Sequence, residues 1–187
     1  MTRILPKNYR IVPKEAKKVF HGTIFDIYQW NQEMYDGSTA VFEMAKRVDT
    51  VQVLAIDDTN LIAVNEQQPD GTTRSYGLPG GRIDPEDTNP LAAAKREMLE
   101  ETGYSFKNWK LLNVRQPQQK IEWFVYLFVA WEITAHELQK TDVGEKIEVL
   151  KTDWPTYLQK GNQLTIFENN LKQYSAISDI ILAKEFN

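Results

Sequence analysis

Cysteine is absent from this 187-residue chain. That excludes disulfides, thiolate zinc sites and cysteine nucleophiles, and it fits a reducing compartment. Histidine is scarce as well: His21 and His136 stand alone with no metal-ligand spacing. No apolar run approaches the ~20 residues of a membrane span. The basic start, MTRILPKNYRIVPKEAKK, lacks the apolar core of a secretory signal. These absences predict a cytoplasmic protein with no membrane partner. An excess of positive charge is missing too. A net charge of −4 argues against an extended nucleic-acid surface, which needs clustered Lys and Arg.

What remains is ordinary for a globular chain, with 42% hydrophobic and 26% charged residues. The length allows one full domain plus an appendage. Residues 19–48 read as two or three strands, turning at Asp36-Gly37. The apolar segments 51–56 and 61–66 flank a second hairpin turn, and residues 69–87 read as a loop rich in Gly and Pro. Asn89 is a good N-cap, Pro90 suits the first helical position, and Gly103 ends the helix LAAAKREMLEET. Strands are predicted over 107–115, 121–133 and the IEVLKTDW segment. Leu171, Tyr174, Ile177 and Ile181 predict a closing amphipathic helix. The organisation is therefore an N-terminal sheet segment over 1–48 and a mixed α/β or α+β domain over 49–187.

The helix carries Glu97, Glu100 and Glu101 at i, i+3 and i+4, on one face. Like charges at this spacing cost roughly 0.2–0.5 kcal/mol per pair. Their place near the helix C-terminus adds a macrodipole penalty. Arg96 relieves Glu100, but one cation does not balance three acids. A solvated acidic face is the bland reading of such a cluster. A divalent cation is the sharper one, because carboxylate oxygens suit Mg²⁺ or Mn²⁺ and Mg²⁺ bridges carboxylates to phosphates. Just upstream, Leu78-Pro79-Gly80-Gly81 is a tight loop whose bare backbone can approach a ligand.

The stretch GGRIDPEDTNPLAAAKREMLEETGY resembles the Nudix box. The second half matches from Arg96 to Tyr104. The first half departs: the fifth residue past Gly81 is followed by Asp87 where the pattern has glutamate, and eight residues rather than seven separate Asp87 from Arg96. Glu86 is a second candidate for that acid. The resemblance implies a Nudix-type mixed sheet sandwiched between helices, with a small N-terminal antiparallel sheet. It implies metal binding by Glu97, Glu100, Glu101 and the Gly80 carbonyl, with Arg96 orienting the glutamates. A general base is expected from a box glutamate or from Glu137, Asp142 or Glu145 in the following loop, with Glu145 preferred.

The layout, including VFHGTIFDIYQWNQEMYDGS, NEQQP and EKIEVLKTDWPTYLQKG, is similar to the ADP-ribose and nucleoside-diphosphate-sugar pyrophosphatase branch. That similarity implies Mg²⁺-dependent hydrolysis of a nucleoside diphosphate linked to a sugar, and a homodimer formed through the N-terminal sheet. ADP-ribose and related nucleotide sugars both stay open. Gly81, Gln67, Arg47, Arg115 and Tyr28 are candidate substrate contacts, with Phe25 and Trp30 as further aromatics able to stack on a base. The competing readings are a hydrolase of nucleoside triphosphates or dinucleoside polyphosphates, and a nucleotide-binding sensor without turnover.

Overall fold

Asp36 and Gly37 reverse the chain where the sequence predicts a turn. Gly37 takes φ +80°, and Asp36 Oδ1 accepts from the Ser38 amide at 2.9 Å, an Asx turn. The turn joins β2 (Asp26–Glu33) to β3 (Thr39–Lys46), while β1 (Lys17–His21) pairs with the other edge of β2. All three run antiparallel. The computed structural model describes residues 3–141, 144, 146–161 and 167–184.

The second sheet begins with β4 (Thr50–Asp57) and β5 (Asn60–Gln67), an antiparallel pair joined at Asp58, which sits at φ +57°. A short strand, β6 (Thr73–Gly77), follows on the edge of β5, within the segment the sequence assigns to a loop. After α1 (Pro90–Thr102) come β7 (Tyr104–Arg115), β8 (Ile121–Glu122), β9 (Val125–His136) and β10 (Lys146–Asp153). The main path is β10-β5-β4-β9-β7, with β4 and β9 parallel.

The sequence predicts one strand over 121–133. Instead the chain breaks at Trp123 and Phe124, so that β8 pairs with β3 of the small sheet and β9 enters the large one. Hydrogen bonding from another segment causes the break. Asp49 Oδ1 accepts from the Phe124 amide at 3.0 Å, and the Trp123 indole donates to Thr50 Oγ1 at 3.0 Å.

Alternation along the strands builds a core on each face. Val53, Ala55, Tyr126 and Phe128 pack on one side with Ala93, Ala94 and Met98 of α1. Leu54, Ile56, Leu127 and Val129 face the other side, under the C-terminal segment. That segment corrects the expected single closing helix. It holds α2 (Trp154–Lys160), α3 (Glu168–Leu171) and α4 (Ile177–Leu182), so Leu171 and Ile177 lie in different helices. The buried Lys110 ammonium donates to the Ile180 carbonyl at 3.0 Å and the Ala183 carbonyl at 2.8 Å, capping α4. The result is the mixed α+β sandwich that the resemblance implies, with the small sheet present.

Candidate active site

Local chemistry sets α1 in place. Asn89 Oδ1 accepts from the Ala92 amide at 3.0 Å, Pro90 opens the helix, and Gly103 closes it at φ +74°. Helix ends leave carbonyls without partners, and here the loop after β9 supplies the donors. The Lys140 amide donates to the Glu100 carbonyl at 2.9 Å and the Glu137 amide to the Gly103 carbonyl at 2.8 Å. The Gln139 side chain reaches the Glu101 carbonyl. The loop expected to carry a base is thereby tied to the helix turn that bears the glutamates.

Arg96 organises the acids. One guanidinium nitrogen, Nη1, donates to Glu97 Oε1 and to Glu100 Oε2, each at 2.9 Å. The other, Nη2, donates to Asp87 Oδ2 at 2.9 Å and to the Arg82 carbonyl at 2.8 Å. The bond to Asp87 is the main reason the Arg96 pKa lies above its ordinary value. For Asp87, burial pushes the pKa up. The Arg96 bond and the Asp84 amide outweigh it and hold the carboxyl below the usual range. Asp87, the departure in the first half of the box, therefore ties the loop to the helix. Glu101 is the most sheltered of the three glutamates, with 8% of its surface exposed, and its Oε2 accepts from the Gly80 amide at 2.9 Å.

The glycine loop lies along β4. The Val53 amide donates to the Pro79 carbonyl, the Val51 amide to the Gly81 carbonyl, and the Ile83 amide to the Asp49 carbonyl, all at 2.9 Å. This ladder occupies the edge of β4 that β5 leaves free beyond Ala55. Gly80 sits at φ +146°, a region open essentially to glycine alone. A Cβ on Gly81 would stand 2.6 Å from Glu97 Oε1. Glu97 and Glu101 thus flank the Gly80-Gly81 peptide from the helix side. Among the described residues no three acidic or histidine side chains converge as a ready cation cage, consistent with Arg96 engaging Glu97 and Glu100.

A cleft of about 460 Å³ opens over this loop, lined among others by Arg47, Glu66, Gly80, Gly81, Arg82 and Glu101. Of the sequence candidates, Arg47, Gly80, Gly81 and Glu101 border it directly, and Glu97, Glu100 and Arg96 lie one side chain behind. Three candidates lie elsewhere. Gln67 ends β5, opposite Lys146. Tyr28 stands in β2 with the Lys18 ammonium 5.6 Å from its ring centroid. Arg115 lines a different groove, with Tyr9 and Gln116. Glu145 and Asp142 lie outside the described residues. Sequence reasoning missed Glu66, Arg82 and Trp123; Glu66 stands within NEQQP and Arg82 within the box stretch, while Trp123 carried no such signal.

The profile of the NUDIX domain matches residues 46–172. The ADP-ribose pyrophosphatase of Bacillus subtilis (strain 168) is 28% identical over 138 residues, covering 72% of this chain and 74% of that protein. A methanol dehydrogenase activator of Bacillus methanolicus is 24% identical over 159 residues, covering 83% and 85%. A solved structure described as an ADP compounds hydrolase superposes with a TM-score of 0.69 at 19% identity, over 86% of this chain and 90% of the other.

Proposed function

The chain belongs to the NUDIX domain family of pyrophosphohydrolases, and we propose that it cuts the pyrophosphate bond of a nucleoside diphosphate linked to a sugar, ADP-ribose or a related nucleotide sugar. The single observation that carries this reading is the close approach of Glu97 and Glu101, from the helix side, to the Gly80-Gly81 peptide that lines the cleft. The similarity to an ADP-ribose pyrophosphatase supports the substrate class.

The residues at hand fit a divalent cation by the chemistry of their donors. Glu97, Glu100 and Glu101 offer hard carboxylate oxygens beside a bare glycine backbone, a set suited to Mg²⁺ or Mn²⁺. The Gly80 carbonyl is the proposed fourth donor. Bound there, such a cation supplies charge neutralisation for phosphoryl oxygens and eases deprotonation of water. The protein's own part is positioning. Arg96 fixes the orientation of Glu97 and Glu100, and the loop ladder along β4 fixes the Gly80-Gly81 peptide. Water attacks phosphorus, the anhydride P–O bond breaks, and a nucleoside monophosphate leaves with a sugar phosphate. We assign the proton of that water to Glu145, which follows in sequence the Glu137–Lys140 segment tied to the end of α1. Arg47 and Gly81 border the cleft and are proposed substrate contacts. Gln67, Tyr28 and Arg115 lie outside its lining, so the reading does not lean on them.

A homodimer through the N-terminal sheet is also proposed. The exposed apolar side chains of Val19, Phe20 and Val41 on that sheet support it.

The test is direct. Glu100→Gln and Glu101→Gln, assayed on ADP-ribose and a panel of nucleotide sugars at saturating Mg²⁺ with products read by mass spectrometry, should each lose at least about 100-fold in kcat. That is the upper end of what loss of a group supporting a metal ligand costs. Circular dichroism should be unchanged. Persistent turnover in both variants defeats the assignment.

A further inference from the structure

Two guanidinium groups that line the cleft have no acidic partner among the described residues. Arg47 and Arg82 both line the cleft, and among the described residues neither forms an ion pair. Arg74, the third arginine of the lining, differs in that it reaches Glu66 Oε2 at 3.5 Å. Arg47 is the more unusual of the pair. It is half-buried, its Nε is shielded from solvent, and that nitrogen has no hydrogen-bond partner among the described residues. Its guanidinium lies 4.6 Å from the Trp123 ring centroid and 5.5 Å from that of Phe25. Stacking on aromatic faces leaves the donor edge of a guanidinium available for an oxyanion. Burial first, and then the nearby charge of Arg82, push the Arg47 pKa down. A half-buried cation set close to a like charge is a costly arrangement unless an anion joins it.

The backbone makes the pairing a fixed feature. Thr50 and Arg82 form an antiparallel bridge, and the Arg96 guanidinium holds the Arg82 carbonyl. Arg82 is therefore anchored on both sides, by the β4 ladder and by the helix that carries the glutamates.

The glutamates, with the cation they suit, account for the cleaved anhydride. The two arginines leave positive charge over. We propose that Arg47 and Arg82 form a second anion subsite, which takes a phosphoryl group beyond the anhydride that the glutamates face. On the proposed pyrophosphohydrolase reading, on which this rests, the preferred substrate carries more phosphate than a nucleoside diphosphate linked to an uncharged sugar does. The additional phosphoryl belongs either to a longer phosphate chain or to the sugar.

Binding of tripolyphosphate in EDTA, measured by calorimetry, reads the subsite without turnover. Arg82→Gln and Arg47→Gln should each weaken it roughly tenfold or more, the worth of a charge-assisted hydrogen bond. Arg82→Lys should recover part of the loss, while Glu100→Gln and Glu101→Gln should leave this metal-free binding in place. Two matched substrate pairs then separate the sources. Diadenosine tetraphosphate against diadenosine diphosphate reads a longer chain, and 2′-phospho-ADP-ribose against ADP-ribose reads a phosphate on a sugar. In one pair the more phosphorylated member should show a kcat/KM roughly tenfold higher, and Arg82→Gln should bring that ratio toward one. Equal tripolyphosphate binding by native protein and both glutamine variants overturns the proposal. So do flat ratios in both pairs. Failure of the pyrophosphohydrolase reading would show separately, as turnover surviving Glu100→Gln and Glu101→Gln, while tripolyphosphate binding still reports on the arginines.

Discussion

At Gly80 the chain has room for a hydrogen atom and nothing larger. A side chain there would collide with the Val51 carbonyl oxygen and come within 2.9 Å of Gln52 Cα, at a φ of +146°. Both groups are backbone of a central strand, so neither yields cheaply. Gly80→Ala should therefore cost at least about 2 kcal/mol, from backbone strain and overpacking together. Urea denaturation checks it, and an unchanged midpoint would mean the loop relaxes without cost. The same variant should lower turnover, because the Gly80 amide holds Glu101. The acids and glycines of this site were legible in the sequence as a motif. Arg82 was not, because its position matters only once the glycine loop is laid along β4, a fact of tertiary hydrogen bonding.

Among the elements, α1 announces itself most clearly, since its start and stop are chemistry local to the chain. Asn89→Ala removes the acceptor of the Ala92 amide and should destabilise the fold by about 1 kcal/mol, with Asn89→Gly closer to native. Chemical denaturation midpoints for the two variants give the comparison; equal losses would assign the effect to something other than the cap. Strands were harder to read. The segment that forms β6 carries too short an alternation, between Gly71 and Pro79, to stand out from its loop. The apolar run from Ile121 onward reads as one strand because hydrophobicity is continuous through Trp123 and Phe124. Asp49 and Thr50, some seventy residues earlier, make the break. The C-terminal helices likewise follow the apolar spacing without following its continuity. Local signals thus fix caps and periods, while distant partners decide where a strand is divided.

The molecule as a whole is joined through a buried polar knot. Glu122, 2% exposed, accepts from Arg3 at 2.6 Å, from the Val12 amide at 2.7 Å and from Lys46 at 2.8 Å. Arg3 also grips Asp49 at 2.9 Å, so the N-terminal arm, the small sheet and the large sheet meet at one point. Burial pushes the Glu122 pKa up, but Lys46 and Arg3 outweigh it and hold the carboxyl below its ordinary 4.5. A lowered pKa in the folded state stabilises the fold above the ordinary value, and that stabilisation is lost as pH falls. Stability should therefore decline as pH drops below 4.5 and through the lowered native value. Asp87 contributes in the same direction. Glu122→Gln should be less stable at neutral pH and show a shallower acid decline. Thermal melts at a series of pH values read both effects, and parallel curves would show that Glu122 is not a source of the dependence.

One strip of chain, kinked at Trp123, serves both sheets. Two residues before the kink it is stitched to β3, and two residues after it runs beside β4. The indole at the kink carries the Arg47 guanidinium. The small sheet and the cleft wall therefore share one piece of backbone, and the seat of Arg47 depends on both.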